Sequence, residues 1–284
     1  MIQSPKHPSL SAIFSFVFFL LIGVATGNAK EKISATFGEA PWDGFEGEAG
    51  GGWTTPWIPK SAADESSTLT AEVVPKGGDS LVPGQPFLRM TYHRAGNEKS
   101  ASRSGISRQW DTSALSSLDA YSVKFSIRFA DLSIFQDSHD TNSINIAANK
   151  SARANASITE GISLWFLQFR PGQRGWAVIK KDDPSASEVT TFYFKGDVVP
   201  QEADLVYTIQ IDVYRTRGEF DVTINGVSAS SQNDGILFHL SNKEEWDAFD
   251  WLTWQINMVS NTESGASFVC DLGDIEIQGI DPKK

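Results

Sequence analysis

The chain has 284 residues and carries 35 acidic side chains against 24 basic ones, a formal charge of -11. An acidic surface repels phosphate backbones, which excludes nucleic acid as the expected partner, and the same average argues against polyanionic ligands unless a local basic patch overrides it. Cys270 is the single cysteine, so no internal disulfide forms and the apolar core alone must hold the fold.

Behind Lys6 and His7 runs the apolar stretch Ala12-Ile-Phe-Ser-Phe-Val-Phe-Phe-Leu-Leu-Ile-Gly-Val24. It is too short for a convincing membrane span and reads as a secretory signal peptide, residues 1–29, with Gly27 and Ala29 as the small residues before the cut. The expected mature protein is secreted or periplasmic, with no membrane insertion once the signal is removed. Residues 30–41 read as a flexible lead-in, and residues 42–284 as a single domain, because no linker divides them. Its opening is rich in glycine and marked by Trp42, Trp53 and Trp57, large anchors suited to plugging the end of a sandwich.

Leu88, Met90 and Tyr92 alternate with Arg89, Thr91 and His93, and residues 104–110 are expected to pair with them. Val123, Phe125, Ile127 and Phe129 alternate with Ser122, Lys124, Ser126 and Arg128. Residues 143–148 form the next expected strand. Residues 162–170 are apolar on both faces, Leu164 and Phe166 on one and Trp165, Leu167 and Phe169 on the other, the pattern of a central strand. Residues 176–180 and 189–195 make a further pair.

The clearest element is a hairpin over residues 206–227. Tyr207, Ile209, Ile211 and Val213 alternate with polar neighbours, Phe220, Val222 and Ile224 repeat the pattern on the return strand, and Gly218 supplies the positive φ of the loop. Asn225-Gly226 turns the chain again. Each apolar side chain contributes about 1.5–3 kcal/mol once buried, so such a sheet needs a second layer over it. Residues 235–240, a short helix at 242–246, and strands at 251–259, 266–270 and 274–279 complete the count. About a dozen short strands with almost no helical periodicity predict an all-β fold, a two-sheet antiparallel β-sandwich.

The start Asp43-Gly-Phe-Glu-Gly47 with Trp53, the hairpin end Asp221-Val-Thr-Ile-Asn-Gly226 and the last strand Asp271-Leu-Gly-Asp-Ile-Glu-Ile277 together resemble the concanavalin A-like (laminin-G-like) jelly rolls of secreted bacterial proteins. The resemblance spans most of the mature chain. It implies two curved sheets, the concave one often binding glycan, in a superfamily of β-glucanases, polysaccharide lyases and non-catalytic binders. It also implies a structural calcium tying the N-terminal loop to the last strand, for which Glu46 and Asp274 are the candidate ligands. His93, His139 and His239 lack metal-ligand spacing.

The Glu-x-Asp-x-x-Glu string of the glucanases is absent, which argues against their retaining hydrolysis. Tyr193-Phe-Lys-Gly196 resembles a segment of the alginate lyases, and Gln201 matches its terminal glutamine. Val199, however, stands where their catalytic tyrosine would be, and their Gln-Ile-His and Arg-Ser-Glu strands are missing. Lyase chemistry would draw on Tyr193, Lys195, Arg128 and His139, which no spacing brings together. For binding, the strand faces opposite the apolar ones offer Arg128, Trp165, Gln210, Asp212, Tyr214, Gln255 and Asn257, the mixture of aromatic and polar groups that a sugar platform uses. That assignment depends on register, since a slip of one residue swaps the faces. Three readings stay open: a non-catalytic carbohydrate-binding domain, a lyase of the alginate-lyase type, and a structural or adhesion protein of the cell envelope.

Overall fold

The computed structural model describes residues 32–35, 52–60, 67–75, 81, 85–94, 102–115, 118–135, 142–151, 163–170, 174–181, 188–240, 243–258 and 265–282. In chain order its strands are β1 Lys32–Ala35, β2 Ile58–Lys60, β3 Ser67–Val74, β4 Phe87–Arg94, β5 Ser102–Gln109, β6 Ala120–Phe129, β7 Ser143–Asn149, β8 Ser163–Arg170 and β9 Gly175–Lys180. They continue with β10 Thr190–Tyr193, β11 Val206–Tyr214, β12 Glu219–Ile224, β13 Val227–Ser228, β14 Phe238–His239, β15 Trp251–Met258, β16 Ser267–Leu272 and β17 Ile275–Gly279. The helices among the described residues are short 3-10 segments, including Lys243–Ala248 near the expected helix.

The strands build two antiparallel sheets, as the alternation predicts. The larger has ten strands along the order β13-β12-β11-β6-β16-β4-β3, with β1, β14 and β17 attached; the smaller has seven in the order β10-β9-β8-β7-β15-β5-β2. The fold is a two-sheet β-sandwich. The hairpin forms as expected: β11 pairs with β12 from Ile209↔Ile224 to Tyr214↔Glu219, and Gly218 closes the loop at φ 66°. Its other edge pairs with β6 along nine residues, which puts both alternating strands at the middle of the larger sheet.

Tyr207, Ile209, Ile211 and Val213 meet Val123, Phe125, Ile127 and Phe129 on one inner face, all buried. Opposite them Ile144, Ile146, Trp165, Leu167, Phe169, Trp176, Val178, Leu252 and Trp254 come from the smaller sheet. Phe129 stacks on Phe169 with ring centroids 4.9 Å apart, and Phe169 on Trp176 at 4.5 Å. Trp53 and Trp57 are buried in the same core, as anchors should be, with the Arg108 guanidinium 4.8 and 5.8 Å from their rings and its Nε donating to the Thr55 carbonyl at 3.1 Å. Burial lowers the Arg108 pKa to about 10.

Two expectations are corrected. Lys32–Ala35, within the expected flexible lead-in, pairs with β17. β5 does not pair with β4: both edges of β4 are taken, by β3 and β16, so the chain crosses to the smaller sheet, where β5 lies between β15 and β2. A hydrogen bond of 2.7 Å between the buried hydroxyls of Ser67 and Ser104 links the two layers there.

On the outer side of the larger sheet Asp271 is fully buried between two arginines. Arg128 reaches its Oδ2 through Nη2 at 2.6 Å, and Arg89 spans both carboxylate oxygens at 2.8 and 2.9 Å. Removing the anion would leave Arg128, 8% exposed, as an uncompensated buried charge. Asp271→Asn is therefore expected to lower the unfolding free energy by about 3 kcal/mol in urea titrations, and a loss below about 1 kcal/mol would deny the triad that role. Gly105 is required for a different reason. A Cβ there would lie 2.1 Å from the Trp254 carbonyl oxygen of the paired strand, so Gly105→Ala must push β5 off β15. The expected loss is about 2 kcal/mol, visible as a lower melting temperature.

Candidate functional site

The seven residues expected to share a sugar platform do not converge. Arg128, Gln210, Asp212 and Tyr214 lie on the outer face of the larger sheet, whereas Gln255 and Asn257 belong to β15 of the smaller one. Arg128 is held in the Asp271 triad. Gln210 donates through Nε2 to both Asp212 oxygens, at 2.8 and 2.9 Å. Tyr214 packs under the Arg217 guanidinium, 4.2 Å from its ring, and its phenol pKa is raised by burial and by the charge of Asp212. Trp165 offers no platform, because it is fully buried in the core. β7 sets that face: Ile146 pairs with Leu167 and Ile144 with Phe169, which turns Trp165, Leu167 and Phe169 inward and Phe166 outward onto Ala147, Ile179 and Val189, and a register shift between Ala147 and Asn149 then puts Leu164 in the core as well and Ser163 opposite Asn149.

The same register turns a set of polar side chains to the outer face of the smaller sheet. Gln255 stands between Gly105 and Asn145, Asn145 opposite Gln168, Gln168 opposite Ala177, and Ala177 opposite Tyr193, so one row crosses the sheet from β5 to β10. Gln168 donates through Nε2 to Asn145 Oδ1 at 2.9 Å. Flanking rows carry Ser107 and Thr253, hydrogen-bonded at 3.0 Å, and Asn149, whose Oδ1 accepts from Ser163 Oγ at 2.5 Å. Trp251, half-buried, pairs with Asn149 and Gln109. At the β10 edge Arg174 Nη1 donates to the Tyr193 hydroxyl at 3.0 Å, its guanidinium 5.2 Å from the ring centroid. Asn257 falls at the register of Ser143 and Arg103.

Several polar atoms of this face are buried without a partner: Gln168 Oε1, Asn149 Nδ2, Ser143 Oγ and Arg170 Nε. Gln168 is 7% exposed and Asn149 0%, so bulk water does not replace the missing bonds. Each orphaned group costs about 1–3 kcal/mol unless a ligand or an ordered water meets it. Of these residues the sequence reading singled out only Gln255, Tyr193 and Asn257. The missed signal was Gln168, the one amide side chain within the apolar run between Ser163 and Arg170, with the alternation of Ser143, Asn145 and Asn149 against Ile144 and Ile146.

The lyase residues are not assembled. Tyr193 and Arg128 lie on opposite outer faces, Lys195 is exposed in the loop after β10, Val199 is buried in the core, and His139 lies outside the described residues. Of the calcium pair, Glu46 also lies outside the described residues. Asp274 sits half-buried between β16 and β17. Among the described residues no group of three His, Cys, Asp or Glu side chains gathers there or elsewhere. No described helix is long and apolar enough to cross a membrane.

No family model and no curated protein matches the chain. Solved structures with similar shape include a sialidase, at 9% identity and TM-score 0.44 over 79% of this chain and 17% of that one. A carbohydrate esterase, vb_24B_21, from Shiga toxin-encoding bacteriophage phi24B shares 12% identity at TM-score 0.44, over 79% of this chain and 90% of that one. The binding domain of botulinum neurotoxin DC in complex with SialylT shares 10% at TM-score 0.42, over 80% of this chain and 44% of that one. The chain thus spans less than half the length of the sialidase and the toxin domain, and values this low carry no conclusion about function.

Proposed function

We propose that this chain is a non-catalytic carbohydrate-binding β-sandwich of an exported protein, holding a glycan on the outer face of its seven-stranded sheet. The observation that carries the reading is the amide row Gln255–Asn145–Gln168, buried on a face where neighbouring polar atoms lack partners. Sugar hydroxyls present donors and acceptors together, and side-chain amides answer both. Tyr193 and Trp251 stand on the same face as aromatic surfaces for the apolar side of a sugar ring. The row crosses the strands, which are spaced about 4.8 Å apart, so an extended glycan would run across the sheet and meet a new strand roughly once per sugar.

The test separates binding from folding. Gln168→Met keeps the volume of the side chain and removes the orphaned Oε1 together with the donor to Asn145 Oδ1, so the unfolding free energy is expected to stay within about 1 kcal/mol of the parent while retention in glycan affinity gels falls about tenfold. Asn145→Leu should act in the same direction. Asp212→Asn, on the opposite face, should leave retention unchanged. Retention untouched by Gln168→Met would move the site elsewhere, and unsaturated uronate absorbance released from any polymer would replace the binding reading with elimination.

A further inference from the structure

Among the described strands, every carboxylate belongs to the larger sheet: Glu72, Asp212, Glu219, Asp221, Asp271 and Glu276. The seven strands of the smaller sheet contain no aspartate or glutamate, in a chain with 35 such residues. They do contain arginine: Arg108 faces inward against Trp53 and Trp57, and the pairing sets Arg103 and Arg170 on the outer face. Arg103 of β5 lies across from Asn257, Asn257 from Ser143, and Ser143 one position before Ile144, the partner of Phe169, which places Arg170 in the same row. That row runs alongside the amide row. Arg174 adds a further guanidinium at the β10 end, against Tyr193.

We infer that the glycan bound on this face is anionic, carrying uronate carboxylates or sulfate esters that the Arg103–Arg170–Arg174 side receives while the amide row takes the hydroxyls. The inference rests on the glycan-binding reading and specifies its ligand class. Two independent observations support it. The strands of this face carry no acid, the carboxylate of Asp250 just before β15 already accepts from Gln109 Nε2, and arginine answers carboxylates and sulfates with paired N–H donors. Arg170 Nε is moreover buried without a partner, a cationic donor left open beside the orphaned Ser143 Oγ and Gln168 Oε1. The arginines are spread along the sheet. Three strand spacings separate Arg103 from Arg170, about 14 Å, so the arrangement suits a polymer with repeated charges better than a single small anion. The net charge of -11 sums acids over the whole chain, whereas the six acidic residues of the described strands all lie on the other sheet.

The test measures retention of the full chain on polygalacturonate, a sulfated galactan, neutral xylan and glucan, and a single-stranded oligonucleotide. The expected result is retention at least tenfold stronger on one acidic glycan than on the neutral polymers. It should weaken with added salt and fall about tenfold in Arg170→Gln and Arg174→Gln, with partial recovery in Arg170→Lys. Loss of binding after carboxyl reduction identifies a uronate ligand, and loss after desulfation a sulfate ester. Equal or stronger retention on a neutral polymer overturns the anionic inference and leaves the glycan reading intact. Failure to bind any polymer removes both. Equal retention of the oligonucleotide overturns the inference in favour of unspecific charge attraction.

Discussion

The aromatic stack between the two sheets is the constraint on which the rest depends. Phe129, at the end of β6, lies within 6.2 Å centroid distance of Phe169, Trp176, Tyr207 and Phe268, rings drawn from both layers. Such pairs add about 0.5–1.5 kcal/mol each beyond the area they bury. Their larger consequence is register. With Phe169 committed to the interior, Trp165 and Leu167 follow it inward, and Phe166 and Gln168 must point out. A shift of one residue would bury Gln168 in the core and expose three large apolar side chains, so the packing energy of the interior fixes the chemistry of the exterior.

The two outer faces use their polar groups differently. On the larger sheet Asp271 satisfies two guanidinium groups, Gln210 donates to Asp212, and Asp221 accepts from the Ser228 and Ser230 hydroxyls and from two backbone N–H groups. These are closed local networks, the form in which buried polar groups sustain a fold. On the smaller sheet more atoms are left over, on Gln168, Asn149, Ser143 and Arg170, against Ser122 Oγ on the outer face of the larger. Apolar residues of the same shape would avoid that cost, which is why these groups carry the binding proposal.

Much of the fold was legible because period-two alternation reports which side chains share a face. β6, β11 and β12 could be drawn from the sequence almost to the residue, and the count of short strands was enough for a sandwich. Pairing was less legible, since it is decided between distant segments. Nothing local in residues 104–110 says that both edges of β4 are already filled by β3 and β16. The face of β8 was ambiguous for a related reason. A strand apolar on both sides has no hydrophobic period to orient it, and the choice fell to the fit of Phe169 against Phe129. The candidate platform failed where it joined residues by polarity alone: Gln210 and Gln255 both oppose apolar neighbours, but on opposite sides of the molecule.

Net charge is coarse for the same reason. A total of -11 describes the approach of a partner from a distance, where charges sum, yet at contact the field of a single face governs, because screening shortens the reach of each charge to about 8–10 Å. In this fold the two outer faces are separated by both sheets and the core between them, about 10 Å from sheet to sheet before side chains are added. The carboxylates of the larger sheet are therefore largely screened from a ligand lying on the smaller one. Sorting the strand acids by sheet, rather than adding all acids over the chain, leaves the strands of the smaller sheet with arginine and no carboxylate, the asymmetry on which the anionic-ligand inference rests.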